Sequence, residues 1–280
     1  MRVLIYGSLH HKNIQGIKQI LNYLNYEYVF SNNLQNIQSY DIVYSPSLPI
    51  KGVYQNIKFI YGPHFSVFPD QKLKQIQKGQ NAVYIQPSDW ARDAWGKQHI
   101  PLYTFSFPVD TVRFSPQQSS QRDTVFVYTK RRNPLDINFV CDFLKQKNIN
   151  FVLFDYIQRY QEEEYLKILK QSKYGIIIDA HESQGFAIEE ALSCNVPLLV
   201  WNVKTMNQEW RSRYGPVPCT TVPYWDERCG HLCYDQHEFQ DAFEVFQNNL
   251  NNYNPRNYIL ENLSTEPCAK RFQELIKYIN

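Results

Sequence analysis

The chain alternates short runs of β-branched or aromatic residues with longer amphipathic stretches, the form taken by strand-helix units wound around a parallel sheet. In its first part the pattern predicts strands near 2–6, 26–30, 41–45, 57–61, 82–85 and 102–105. A helix near 14–25 places Ile14, Ile17, Ile20 and Leu21 on one face, and another near 88–97 takes Ser88 as its N-cap. At FSFPVDTVRFSPQQSSQRD, residues 105–123, apolar periodicity stops and Pro, Ser and Gln accumulate, which marks a linker. A second set of units follows, with strands near 124–128, 150–154, 174–179 and 197–201 and helices near 136–146, 161–171 and 185–194. The end reads as helical near 236–250, 255–263 and 266–279. The expected organisation is an α/β domain over 1–107, a linker over 108–123 and a second α/β domain over 124–280, whose last helix can return to the N-terminal domain. There is no internal repeat or low-complexity tract. Two such domains in series predict a cleft between the carboxyl ends of their sheets, where open α/β folds bind ligands.

Composition and charge narrow the picture further. The 280 residues, 43% apolar, can bury one large core or two modest ones, which excludes disorder. Apolar runs such as Tyr174–Ile178 and Val196–Trp201 fall far short of the roughly 20 residues of a membrane helix, so no integral membrane segment is expected. The N-terminus reads as a strand and a polar loop rather than a signal peptide, which points to a cytoplasmic location. The formal charge of +2 gives no global field to recruit nucleic acid. Six cysteines lie in the C-terminal half, and reduced thiols are expected, because a chain of this size folds without disulfides.

The richest stretch is HESQGFAIEEALSCNVPLLVW, residues 181–201, where a polar loop, a short helix and a buried strand follow the strand of KYGIIID. Gly185 lets the backbone turn sharply, and the amides of Phe186, Ala187 and Ile188 then open a helix. Free amides and the positive end of the helix dipole suit a phosphate. Ile188, Ala191 and Leu192 form the expected buried face, Glu190 lies away from it, and Asn195 can take the left-handed conformation that ends the helix. A carboxylate one turn into such a helix is poorly placed for phosphate but can accept hydrogen bonds from the vicinal hydroxyls of a ribose.

Glu182 and Glu190, with Gly185 between them, Ala191-Leu192 after them and Pro197 beyond Asn195, resemble the E-x7-E signature of retaining GT-B glycosyltransferases, family 4 in particular. FPVDTVRFSP, Phe107 to Pro116, resembles the interdomain segment of the same enzymes. Together the matches span about residues 107–235, whereas the N-terminal domain matches only in its strand-helix pattern. The resemblance implies the GT-B fold: two Rossmann-like α/β domains facing a cleft, here with a short N-terminal domain and a helical C-terminus. It implies a nucleoside diphosphate sugar as donor, with Glu190 on the ribose, Glu182 near the donor sugar and the Gly185, Phe186 and Ala187 amides on the diphosphate. Asn195 stands where those families usually have glycine, a change the turn chemistry tolerates.

Other groups fit the same reading. Lys130, Arg131 and Arg132 follow the first strand of the second domain, where cations can neutralise a diphosphate and stabilise the charge that grows as it leaves. Similar enzymes carry an arginine at the place of Lys130 and a lysine about five residues on; Leu135 stands there instead, which leaves the second cation to Arg131 or Arg132. His64, in a Gly-Pro loop after a strand, resembles a histidine that approaches the donor sugar. Gly7 and Ser8, with His10 and His11 beyond them, follow the first strand and are expected to line the cleft, as is Glu209, in TMNQEW. CGHLC, with Cys229, His231 and Cys233, lacks the second ligand pair of a zinc site, and no Asp-x-Asp motif of a metal-dependent sugar transferase occurs.

The resulting expectation is a retaining, metal-independent glycosyltransferase with Glu182, His64 and Lys130 at the chemistry, no cofactor, and a glycan, lipid or protein acceptor. Two rivals remain. A non-catalytic GT-B-like protein that binds a nucleotide or glycan is suggested by the short N-terminal domain. A glycoside hydrolase would need two carboxylates flanking a glycosidic bond, and neither the helix N-terminus nor the linker favours it.

Overall fold

A computed structural model of the chain describes residues 1–117, 122–158 and 160–279. It divides into two compact units, Met1–Pro108 with Leu263–Asn280, and Val109–Asn262. Residues 118–121 of the expected linker lie outside the described residues.

The first unit opens with β1 (Arg2–Tyr6), α1 (His11–Tyr23), β2 (Glu27–Ser31), β3 (Ile42–Ser45) and β4 (Lys58–Tyr61). It continues with α2 (Gln71–Lys74), β5 (Ala82–Gln86), α3 (Asp89–Asp93) and β6 (Leu102–Thr104). The strands pair in parallel in the order β2-β1-β3-β4-β5-β6. β3 and β5 are buried along their whole length, because a parallel sheet is covered on both faces. At the edge, β2 leaves Val29 and Phe30 exposed. The apolar stripe of α1 buries Ile17, Ile20 and Leu21 as the periodicity predicts, although the helix starts at His11 rather than near 14. The helix expected over 88–97 is cut to Asp89–Asp93, since Gly96 takes a φ of 60° and Trp95 turns into the core, where its Nε1 donates to Val67 O at 2.9 Å.

The second unit begins with β7 (Thr124–Lys130), α4 (Pro134–Gln146), β8 (Val152–Asp155), α5 (Glu162–Gln171) and β9 (Ser172–Asp179). It ends with α6 (Phe186–Ser193), β10 (Leu198–Trp201), β11 (Gly230–Cys233), α7 (Gln236–Asn248) and α8 (Pro255–Asn262). Its sheet is again parallel, in the order β11-β10-β9-β7-β8. One face packs Val125, Val127, Ile176, Ile178 and Leu199 against Phe143 of α4 and Phe239, Phe243 and Phe246 of α7. Inside β9, a Cβ on Gly175 would stand 2.2 Å from the Phe126 ring, so only glycine lets the two central strands carry that aromatic. β7 runs past its expected end near 128, because its ladder with β9 persists until Lys130 lies opposite Asp179.

The final helix, α9 (Thr265–Tyr278), belongs to the first unit and packs against α1, burying Cys268, Phe272, Leu275 and Ile276. Lys58 Nζ donates to Ile276 O at 2.7 Å and also to Ile279 O. A cation on the last carbonyls satisfies orphan acceptors and complements the helix dipole. No helix among the described residues is long and apolar enough to cross a membrane.

Candidate functional site at the carboxyl end of the second sheet

Opposed residues in a parallel ladder point to the same side of the sheet, so the Lys130–Asp179 register sets an ammonium beside a carboxyl group at the ends of β7 and β9. The backbone continues that pairing, with Ala180 N donating to Lys130 O at 3.0 Å. The loop after β9 brings Glu182 back, and its Oε1 accepts from Lys130 Nζ. Lys130 Nζ also stands 4.7 Å from the centroid of the Tyr156 ring.

A second segment props this loop. Thr220 O accepts from Glu182 N at 3.1 Å, and Thr221 Oγ1 donates to Ala180 O at 2.8 Å. That segment is fixed in turn by Asn202, just after β10, whose Oδ1 accepts from Thr221 N at 2.8 Å and Thr220 Oγ1 at 2.9 Å. Buried backbone groups are thus satisfied where regular pairing has stopped.

Charges in the loop tune one another. Burial works against the Lys130 ammonium, but Glu182 and Asp179 together lift it above its ordinary value. Burial would raise Glu182, yet Lys130 holds its carboxyl below the usual range. Asp179 goes the other way: burial, then the neighbouring Glu182 charge, push it well above the carboxylate range. Burial also draws the His181 imidazole down to about 4, against the pull of Glu182. His181 Nδ1 lies 3.6 Å from Glu209 Oε2, and Glu209 Oε1 lies 3.7 Å from Arg131 Nη1. The structure therefore joins Lys130, Arg131, Glu182 and Glu209 at one end of one sheet. Arg131 has a left-handed φ of 52° and accepts from Trp210 N at 2.8 Å, which clips the loop after β7 to the loop after β10.

Gly185 follows with a φ of 90° and starts α6, and among the described residues no side chain caps that helix. The amides of Phe186 and Ala187 therefore open the helix at the end of the loop that carries Glu182, as the sequence predicts. Ile188, Ala191 and Leu192 are buried, as expected. At the far end, Asn195 takes a φ of 57° and Val196 N bonds back to Ala191 O at 3.1 Å, a Schellman closure. Arg122 and Arg256 cover the last carbonyls: Arg122 donates to Cys194 O and Asn195 O, both at 2.9 Å, and Arg256 Nη1 to Ser193 O at 2.6 Å.

Two expectations need correction. The expectation that Glu190 lies away from the buried face does not hold: it is 4% exposed and Glu189 is 1% exposed. The reason is that α6 is covered on more than one side, by α8 and by Tyr165, whose hydroxyl donates to Ala187 O at 2.9 Å. Glu190 faces the tyrosines Tyr160 and Tyr165, whereas Glu189 faces α8 through Tyr258 and accepts from Gln184 Nε2 at 3.1 Å. The expectation that Arg132 joins the diphosphate cations does not fit its place: it is 5% exposed and directed inward. Its Nε donates to Asp136 Oδ2 at 2.8 Å, its Nη1 donates to Asp179 O and Trp201 O at 3.1 Å each, and its guanidinium lies 5.0 Å from the Trp201 ring centroid. It latches the ends of β9 and β10.

Gly7, Ser8 and His64 lie in the first unit. Gly7 and Ser8 follow β1, with Ser8 Oγ 3.2 Å from Ser47 Oγ, and His64 follows β4 with its amide donating to Pro46 O at 2.8 Å. His64 is exposed, and partial desolvation lowers its imidazole. Cys229 precedes β11 and Cys233 ends it; both are buried, which pushes both thiols up to about 12. Sequence reasoning missed Asp179, His181 and the tyrosines around Glu190. A charged residue closing the apolar run GIIID was the available signal for Asp179.

No family model matches the sequence, and no curated protein matches it. Solved structures do match along the whole chain. AviGT4, a glycosyltransferase involved in avilamycin A biosynthesis, superposes with a TM-score of 0.63 at 11% identity, over 99% of this chain and 97% of that one. The chain has the GT-B fold. The N-terminal domain of a trehalose-6-phosphate phosphatase from Candida albicans matches with a TM-score of 0.57 at 10% identity, over 100% of this chain and 97% of that one. The pneumococcal O-GlcNAc transferase GtfA, in complex with UDP and GlcNAc, matches with a TM-score of 0.50 at 13% identity, over 85% of this chain but 56% of that one. At these identities the likeness establishes the architecture, and the chemistry rests on the site.

Proposed function

We propose that the protein is a glycosyltransferase that moves a sugar from a nucleoside diphosphate sugar to an acceptor hydroxyl with retention of configuration and without a metal. The observation that carries this reading is the Lys130–Glu182 pair set beside the uncapped N-terminus of α6 at Gly185. A diphosphate there meets helix amides and the dipole, with Lys130 and Arg131 as cations. Arg132 supports the loop from behind. The resemblance assigns Glu190 to the ribose, and the Glu190→Ala variant tests whether a carboxylate only 4% exposed serves it.

Lys130 is engaged with Glu182 in the free protein, so a diphosphate competes for the ammonium. Capture of Lys130 by phosphate frees the Glu182 carboxylate to accept hydrogen bonds from donor-sugar hydroxyls, which makes the ion pair an exchangeable partner set. In the reaction, the acceptor oxygen bonds to the anomeric carbon as the bond to the diphosphate breaks. The acceptor proton passes to the departing phosphate oxygen. The protein's contribution is positioning and stabilisation of the leaving charge.

A second reading, a non-catalytic nucleotide- or glycan-binding protein, is suggested by the short first unit, Met1–Pro108 with Leu263–Asn280, which leaves little chain for an acceptor site. The two are separated by a thermal-shift and calorimetric screen of UDP, GDP, ADP and their sugar conjugates against wild type and Glu190→Ala, followed by donor turnover with candidate acceptors. Selective binding that weakens in Glu190→Ala, with turnover, supports the transferase. Binding without turnover supports the second reading. No binding at millimolar nucleotide overturns the donor site and leaves the glycan-binding form of the second reading.

A further inference from the structure

We infer that Asp179 acts as a neutral carboxylic acid that donates a hydrogen bond to Glu182 and so positions the Glu182 carboxylate against Lys130. Asp179 is fully buried at the end of β9. Its Oδ1 accepts from Ala180 N at 2.6 Å. Its Oδ2 is buried and, among the described residues, meets no donor. The carboxyl brought beside it is that of Glu182: Lys130 stands opposite Asp179 in the β7–β9 ladder and its Nζ reaches Glu182 Oε1, and Glu182 is itself an acceptor when ionised.

As two carboxylates, these groups would set acceptor against acceptor in a dry place and leave Oδ2 unsatisfied. One proton on Oδ2 turns the same contact into a donor–acceptor pair. Charge counting agrees. The charged and titratable groups around Asp179 are Lys130 and Tyr128 from β7, Arg132 from the loop after it, and His181 and Glu182 from its own loop. Lys130 gives its contact to Glu182 Oε1, and Arg132 meets the Asp179 main-chain oxygen rather than its carboxyl. One ammonium therefore serves two carboxyl groups, and the proton stays on the one that lacks a cation at hydrogen-bond distance. Burial and the neighbouring Glu182 charge favour the same assignment.

The proton leaves the Asp179, Glu182 and Lys130 cluster neutral instead of singly negative. On the proposed reading of this loop as a diphosphate site, that removes a buried charge that would repel the ligand, and only this consequence rests on that reading. Asp179 is a positioning residue: it acts through Glu182.

The test is infrared difference spectroscopy on the full chain at neutral pH, with no ligand added. Wild type is expected to show a buried protonated-carboxyl C=O band that shifts in deuterium oxide, shifts again when aspartate is labelled with carbon-13 at the side-chain carboxyl, and is lost in Asp179→Asn. The labelling shift is read on wild type, so it stands even where the variant folds poorly. Absence of the band, a band insensitive to aspartate labelling, or its survival in a folded Asp179→Asn overturns the inference. Because no nucleotide enters the measurement, its outcome is separate from the success or failure of the transferase reading.

Discussion

Lys130 Nζ contacts Glu182 Oε1 where the two side chains keep only 17% and 15% of their surface in water. A pair shielded to this degree behaves as a unit: removing one partner strands the other charge, whereas removing both does not. Lys130→Met and Glu182→Gln are each expected to destabilise the protein by about 3 kcal/mol. The double variant should lose less than the sum of the two, as read by urea denaturation. Additive losses would show that the two side chains do not interact in solution.

His181 supplies a pH signature. Its ordinary value of 6.5 is lowered to about 4 in the folded protein by burial, so the unfolded chain takes up a proton at pH values where the folded one refuses it. This stability is fully present above pH 6.5 and is lost as pH falls from 6.5 towards about 4. The loss is on the order of 3 kcal/mol. Glu182, held below its ordinary value by Lys130 against burial, adds a further loss at lower pH. His181→Gln should flatten the upper part of this acid limb in denaturation curves taken from pH 7 to 4. An unchanged slope would place the titration elsewhere.

How much of this was legible in the sequence depends on the range of the forces involved. The two parallel sheets follow from local alternation, since a strand buried on both faces must be largely apolar, as β10 is throughout and as β3 and β5 are up to their last residues, Ser45 and Gln86. Gly185, Asn195 and the helix between them were readable because turn and cap chemistry is local. The sidedness of Arg132 and Glu190 was not. Arg132 turns inward because two carbonyls from strands distant in sequence, at Asp179 and Trp201, need a donor. Glu190 is buried because α8 and the tyrosines after β8 close over a helix that periodicity alone treats as one-sided. Neither partner can be found by spacing. The same holds for Asp179, whose place beside Glu182 depends on the register between β7 and β9.

Gly185 tests the helix N-terminus. A Cβ there would meet Glu182 Cβ at 3.4 Å and Ile188 Cδ1 at 3.7 Å, which is ordinary contact, so the obstacle to a side chain is the φ of 90° rather than space. Gly185→Ala is expected to lose about 1–2 kcal/mol in urea denaturation. Gly185→Asn should lose less, since Asn tolerates the left-handed region. Both variants are expected to weaken the nucleotide that stabilises wild type, because the amides of Phe186 and Ala187 are aimed by this turn. A Gly185→Ala variant as stable as wild type would mean that the loop adopts another backbone path.

His64 separates binding from chemistry. It is exposed on the first unit, and among the described residues its hydrogen bond runs from its amide to Pro46 O, which alanine keeps, so His64→Ala should leave stability within about 0.5 kcal/mol of wild type. If the role implied for it in sugar transfer holds, turnover falls by about 10² or more while nucleotide affinity is unchanged. Equal turnover in the variant would remove His64 from the mechanism.

Arg132 decides between two roles for a cation near a proposed phosphate site. A guanidinium can reach Asp136 through Nε and two strand-end carbonyls through Nη1 while lying over Trp201, because its donors are fixed in a planar fork. An ammonium is a point charge and cannot span those partners, so Arg132→Lys keeps the charge but leaves buried acceptors unpaired. Hydrogen bonds to a charged group contribute about 1.5–3 kcal/mol each, so losing one or two of them should lower stability by about 2–4 kcal/mol. If Arg132 instead served the diphosphate, lysine would keep the attraction to phosphate, and the main effect would be on nucleotide affinity at nearly constant stability. Urea denaturation and nucleotide titration of the same Arg132→Lys sample therefore separate the two. A large stability loss, with the remaining folded protein binding nucleotide as wild type does, assigns Arg132 to the latch; the reverse pattern returns it to the diphosphate.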